Sequence, residues 1–302
     1  NAIEREHQSD EVFSSHNVSN TTPKKEYLYV TRMEVGALPD RRQDASQTRA
    51  SWQLDDFVQH DKAREAHLVR EEVLALRLYT GPMYVIYNNK VLRKGAKGQC
   101  VTTLHAINSG ILKLSKLRTP ATVYRAVAGG VLPSNFFEPD GNGAVGGVEA
   151  GFMSTTLDRD VALDSAQRKS NHGRTRPSML FHIKLGLNDK GGSLEFLSQF
   201  PAEKEILMPP LSYLEVVAKP WVEGTTVVVD LRVSSGTGTG AEQTLEQILG
   251  KMKRSHIDLL EVMYDNLRFS GAPQRALLSL VGLRHESAGR DASEFYISKS
   301  YR

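Results

Sequence analysis

The sequence predicts an α+β protein whose helices come first and whose strands follow. Apolar residues recur at three- and four-residue spacing up to Leu117, the signature of amphipathic helices. After Pro120 that period gives way to short β-branched and aromatic runs separated by Gly, Pro and Asn. The 302 residues, 40% of them hydrophobic, suffice for one sizeable core and a second small unit.

Residues 1–50 are rich in Ser, Thr, Asn, Gln and charge, which predicts a flexible polar arm. Its one apolar cluster, "YLYV" at Tyr27–Val30, reads as a short strand or docking segment. Asn17 and Asn20 fit the glycosylation pattern, which is common by chance. Leu54, Phe57, Val58, Ala66, Val69, Val73, Leu74 and Leu76 then mark helices. "YTGPMYVIYNNKVLR" breaks the helix at Gly81–Pro82 and resumes with Tyr84, Ile86 and Tyr87 as anchors. "HAINSGILKLSKL" carries helix to Leu117. "ATVYRAVAG", "GFMSTT", "SMLFHIKL", "SLEFL", "EKEILMP", "YLEVVAK" and "TTVVVDLRV" read as strands. "DRDVALDSAQ" is a short helix capped by Asp158 or Asp160. A Gly/Ser/Thr linker spans 234–244, and Leu245, Ile248, Leu249 and Met252 open a helical extension over 245–302. The chain thus divides into an arm (1–50), a central unit (51–233), the linker and the extension.

Composition excludes several function classes. With 38 basic and 35 acidic residues, no uncompensated cationic face for nucleic acid is expected. The single cysteine, Cys100, excludes an intrachain disulfide framework. No apolar run approaches the ~20 residues of a membrane span. The nine histidines lack ligand spacing and there is no CxxC pair, so no metal is expected. The glycines of "SSGTGTG" lack a preceding strand and following helix of the dinucleotide type, so a Rossmann reading is rejected.

Chemistry concentrates at "SQFPAEKEILMPP". On a strand, Glu203 and Glu205 share one face two residues apart, where like charges repel and one pKa rises. Alone, such a pair reads as a solvated strand end. As a working pair, two carboxylates suit a glycosyl transfer, one steadying an oxocarbenium-like sugar and one handling the nucleophile. Arg125 in "VYRAV" is a forked cation suited to a diphosphate. Ser154 and Thr156 in "STT" share a strand face and can hold a carboxylate in place.

Arg125, Ser154-Thr155-Thr156 and Glu203-Lys204-Glu205, in that order, resemble the R-S-E signature of arginine-specific mono-ADP-ribosyltransferases, which include actin-modifying clostridial toxins and related effectors. The resemblance runs from about Leu54 to Val233. It departs from the usual Ser-Thr-Ser only by Thr156, which retains a hydroxyl. It implies a core of two small, mainly antiparallel sheets around an NAD cleft, beside the N-terminal helical subregion. It implies transfer of ADP-ribose from NAD to a protein arginine, without metal. Arg125 would bind the phosphates, the backbone of Ala126 would receive the nicotinamide amide, and Ser154 would orient Glu205. Glu205 would bind the ribose hydroxyl and steady the oxocarbenium ion; Glu203 would handle the acceptor guanidinium. Phe200 would project from the preceding turn toward the acceptor protein. Phe152 reads equally as pocket wall or sheet packing, and Asn88 as family-like ligand or turn residue. Tyr79, Tyr84 and Tyr87 read as helix packing, with ligand contact as the alternative. Arg174 and Arg176 read as loop solvation, with phosphate contact as the alternative. The implied partner is a protein with an acceptor arginine, actin and small GTPases both being compatible, and the implied site of action is cytoplasmic, by secretion or delivery as an effector. An NAD glycohydrolase and a non-enzymatic, degenerate transferase module that binds a partner are the alternatives.

Overall fold

The computed structural model describes residues 2–15, 18–32, 52–93, 98–128, 132–139, 145–170, 178–186, 189–234, 245–269 and 271–291. The helical layer comprises α1 (Ala2–Glu6), α2 (Pro23–Arg32), α3 (Leu54–Val58), α4 (Asp61–Glu65), α5 (Arg70–Leu78) and α6 (Val101–Leu114). Two π-type segments, Tyr79–Met83 and Ile86–Arg93, lie between α5 and α6. Phe57, Leu76, Tyr87, Ile107 and Ile111 are fully buried in the cluster that joins them. The Glu72 carboxylate opens α5 by accepting from the Val69 amide at 2.8 Å. Gly81, at φ −87° and ψ −162°, and Pro82, which lacks an N–H, end its regular course.

The N-terminal segment is not the free arm its composition predicts. Over the described residues 2–15 and 18–32 it is docked, with Ile3 and Val30 fully buried. His7 sits between the Ile3 carbonyl and the Tyr87 hydroxyl, 2.6 Å from each. Glu6 accepts from the Thr102 and Thr103 amides at 2.8 and 2.9 Å, closing the open end of α6. Polar residues here serve as partners for the fold, a role that composition does not distinguish from solvation. "YLYV" is helical rather than extended, because Tyr27 and Val30, three apart, both turn into the core. Positions 33–50, most of the linker, and Arg174 and Arg176 lie outside the described residues.

The strands are β1 (Ala121–Ala128), β2 (Gly146–Glu149), β3 (Met153–Thr156), β4 (Ser178–Leu185), β5 (Gly192–Ser193), β6 (Glu205–Met208), β7 (Ser212–Val216), β8 (Trp221–Glu223) and β9 (Thr226–Ser234). They pair in the order β2-β7-β9-β4-β1-β3-β6-β5, with β8 on β9. The pairing is antiparallel apart from β4 with β9. The two expected small sheets therefore form one continuous path, yet its halves are joined by a single residue pair, Tyr124 with Thr156. α7 (Arg159–Ser170) covers Tyr124, Ala126, Leu180 and Val228. Asp158 caps it by accepting from the Asp160 and Val161 amides at 3.1 and 3.4 Å. α8 (Leu245–Phe269) and α9 (Gln274–Gly289) pack on each other, and α8 reaches β2.

Two predicted strands depart most from expectation. Of "SLEFL" only Ser193 pairs, beside Gly192; Leu194, Phe196 and Leu197 turn away into the helical core. "EKEILMP" becomes extended only at Glu205. Pro201 starts a 3-10 turn through Glu203, and Lys204 then adopts a left-handed φ of 44°. Glu203 and Glu205 are thus not strand neighbours on one face.

Candidate active site

A cavity of about 480 Å³ opens where β1 and β3 part. That volume falls in the range of small-molecule sites. Arg125 and Ala126 from β1, Ser154 from β3, and Phe200, Glu203 and Glu205 from the turn and β6 all line it. Although the turn removes Glu203 from the strand, it returns its side chain to the same space as Glu205. From the helical side come Tyr79, Tyr84, Asn88, Asn89 and Arg93.

Each of these groups is placed by identifiable bonds. Arg125 Nη1 donates to the Ser154 carbonyl at 2.9 Å, a second tie between β1 and β3 beside their one residue pair. This uses one of five guanidinium N–H groups. Thr155 Oγ1 donates to the Ile206 carbonyl at 2.7 Å, locking β3 to β6. Thr156, paired with Glu205 in the sheet, accepts from the Asp158 amide at 3.0 Å and so serves the turn into α7. Of the two hydroxyls expected to support a carboxylate, Ser154 is the one that hydrogen-bonds Glu205.

Glu205 is buried, with 6% of its surface exposed. Burial pushes its carboxyl up to about 8, opposed by the Ser154 hydrogen bond; the Glu203 charge raises it further and Arg125 lowers it. A carboxyl shifted this far from its ordinary range inside a cleft marks a candidate functional position. Tyr79 is held neutral well above the usual phenol range, by burial and by Glu205.

Two expected site residues stand differently. Phe152, 1% exposed, does not line the cavity; it packs edge-on against Tyr79, ring centroids 5.4 Å apart, and supports the wall from behind. Phe200 is not an exposed hook: it is 5% exposed and faces inward. Asn88 binds both ways to the Phe152 backbone, accepting from its amide at 2.9 Å and donating to its carbonyl at 3.2 Å, and also donates to the Tyr79 hydroxyl at 3.2 Å. Its neighbour Asn89 accepts from Arg93 Nη1 at 2.9 Å, while Arg93 Nη2 meets Glu149 at 2.9 Å. Asn89 and Arg93 were not singled out by sequence reasoning. Their four-residue spacing, which puts two polar side chains one turn apart, is the signal that marks them. Tyr79 and Tyr84 belong to the wall, whereas Tyr87 is core. Among the described residues no group of three or more His, Cys, Asp or Glu could hold a metal, and no helix is long and apolar enough to cross a membrane.

The family model described as NAD:arginine ADP-ribosyltransferase matches residues 19–237. The chain belongs to this family and is an ADP-ribosyltransferase that uses NAD as substrate. The match begins upstream of α2, so α2 is part of the family unit while α1 and His7 precede the matched residues. Among solved structures, the Vis toxin of Vibrio splendidus is 21% identical, covering 63% of this chain and 87% of that one, with a TM-score of 0.43. HopU1 of Pseudomonas syringae pv. Tomato DC3000 is 21% identical, covering 60% and 86%, at 0.47. Plx2a of Paenibacillus larvae is 21% identical, covering 60% and 95%, at 0.45. No curated protein matches the chain.

Proposed function

We propose that this chain transfers ADP-ribose from NAD to an arginine side chain of a target protein. The observation that carries the proposal is the convergence of Arg125, Ser154, Glu203 and a buried Glu205 on one cavity. Arg125, with Arg93 on the opposite wall, suits the diphosphate of NAD. Ser154 holds Glu205 toward the ribose. As the bond from the sugar to nicotinamide breaks, nicotinamide leaves with the bonding pair and the ribose becomes cationic; the Glu205 carboxylate stabilises that cation in a site of low polarity. Glu203 attracts the acceptor guanidinium, which is protonated in water, and takes its proton as nitrogen bonds to the sugar carbon. If water takes the acceptor's place, the same site hydrolyses NAD.

Nicotinamide release, measured with and without agmatine on wild type, Glu205→Gln and Glu203→Gln, tests this. Wild type should form ADP-ribosyl-agmatine, Glu205→Gln should lose both activities, and Glu203→Gln should lose transfer while retaining NAD cleavage. Release indifferent to agmatine and to whole-protein acceptors would replace the transferase reading with a glycohydrolase.

A further inference from the structure

Immediately before the turn that carries Phe200 and Glu203, the chain is fastened into the break that ends α5. Gln199 is 1% exposed, and its side-chain amide donates to the Arg77 carbonyl at 2.8 Å. Its backbone amide donates to Thr80 Oγ1 at 3.2 Å, and Thr80 Oγ1 itself donates to the same Arg77 carbonyl at 3.0 Å. Arg77, fully buried, donates through Nη1 to the Leu197 carbonyl at 2.7 Å with its guanidinium 3.9 Å from the Phe57 ring centroid. The space for Gln199 exists because Gly81 has no side chain: a Cβ there would stand 2.3 Å from Gln199 Nε2. One residue beyond this fastening, Phe200 turns inward and the 3-10 turn begins.

We propose that Gln199, seated against Gly81, is a positioning residue for the acceptor half of the reaction. It holds the turn so that Phe200 closes the cavity and Glu203 meets the incoming acceptor. The groups assigned to NAD are held otherwise. Arg125, Ser154 and Glu205 lie on strands whose ladders and cross-strand bonds do not involve Gln199. The latch therefore governs how the sugar cation is partitioned between an acceptor nitrogen and water, and leaves the cleavage of NAD to the strands. This inference rests on the transferase reading of the same site.

The test compares Gln199→Ala, Gly81→Ala and the double variant. Losing one buried hydrogen bond should raise the KM for agmatine about tenfold. For Gln199→Ala, whose side chain does not line the cavity, NAD hydrolysis without acceptor should change less than about twofold, since the ribose-facing groups keep their bonds. The methyl of Gly81→Ala displaces the same amide, so the double variant should match either single one rather than multiply their effects. Parallel loss of both activities, or multiplicative effects, would overturn the positioning role. Hydrogen exchange supplies a readout independent of activity. The amides from Gln199 to Lys204 should exchange faster in each variant while those of β6 stay as in wild type, and unchanged exchange would sink the latch. If wild type itself fails to modify agmatine or a protein arginine, the transferase reading falls, and exchange alone then decides the latch.

Discussion

Glu205→Gln should make the protein more stable as well as inactive, and the gain should depend on pH in a defined sense. Glu205 has a carboxyl pushed from an ordinary 4.5 up to about 8, chiefly by burial. The native state therefore holds a proton that the unfolded chain has released across that interval. A raised folded pKa gives stability that is whole below the unfolded value and is lost as pH climbs through the folded one. At about 1.4 kcal/mol per unit, the loss between pH 4 and pH 9 approaches roughly 4–5 kcal/mol. Glutamine keeps the shape and a hydrogen-bonding partner for Ser154 but carries no charge at any pH, so the variant lacks this loss. Urea unfolding of both proteins from about pH 4 to pH 9 measures the difference directly, and other titrating groups cancel. The two should agree at the acid end, where the carboxyl is neutral, and diverge progressively as pH rises. Parallel curves would show that Glu205 ionises normally and would refute the account of a costly buried acid at this position.

Other expectations follow from the same geometry. Arg125→Lys keeps the charge but not the fork that binds the Ser154 carbonyl while facing the cavity, so the KM for NAD should rise about ten- to a hundredfold with the fold intact by circular dichroism. Asn88→Ala removes three buried hydrogen bonds at the Tyr79–Phe152 wall. It should cost about 2–4 kcal/mol in denaturant unfolding. The pKa of His7 is lowered by burial, so the unfolded chain takes up its proton first; stability should fall as pH drops below about 6.5. His7→Gln should flatten that slope in thermal melts between about pH 5.5 and 7.5, and an unchanged slope would locate the dependence elsewhere.

What sequence reasoning could read depended on whether local pattern and tertiary demand agreed. Helical spacing from Leu54 to Leu117 and the apolar runs of β1, β4 and β9 are local signals, and each forms the predicted element. Arg125, Ser154 and Glu205 were found through ordered short motifs, because the residue types themselves carry the chemistry. The docked segment 2–32 was missed because its burial rests on long-range partners such as Tyr87 and Thr103, invisible in a polar composition. Glu203 was placed on a strand because alternation is blind to a proline-started turn and one left-handed residue. Phe200 was expected outside for the same reason: the Gln199 fastening that turns it inward joins residues more than a hundred positions apart.

The single pair between Tyr124 and Thr156 has a mechanical meaning. Arg125 belongs to a half-sheet braced by the long β4–β9 pairing, and Glu205 to a smaller one braced by β3 and β5. Beside the pair of Tyr124 and Thr156 the Arg125–Ser154 hydrogen bond crosses the seam, so the two halves would part there at the cost of few bonds and with both ladders kept. Slow amide exchange should accordingly sort into two groups that meet at Tyr124 and Thr156, with the smaller half opening first.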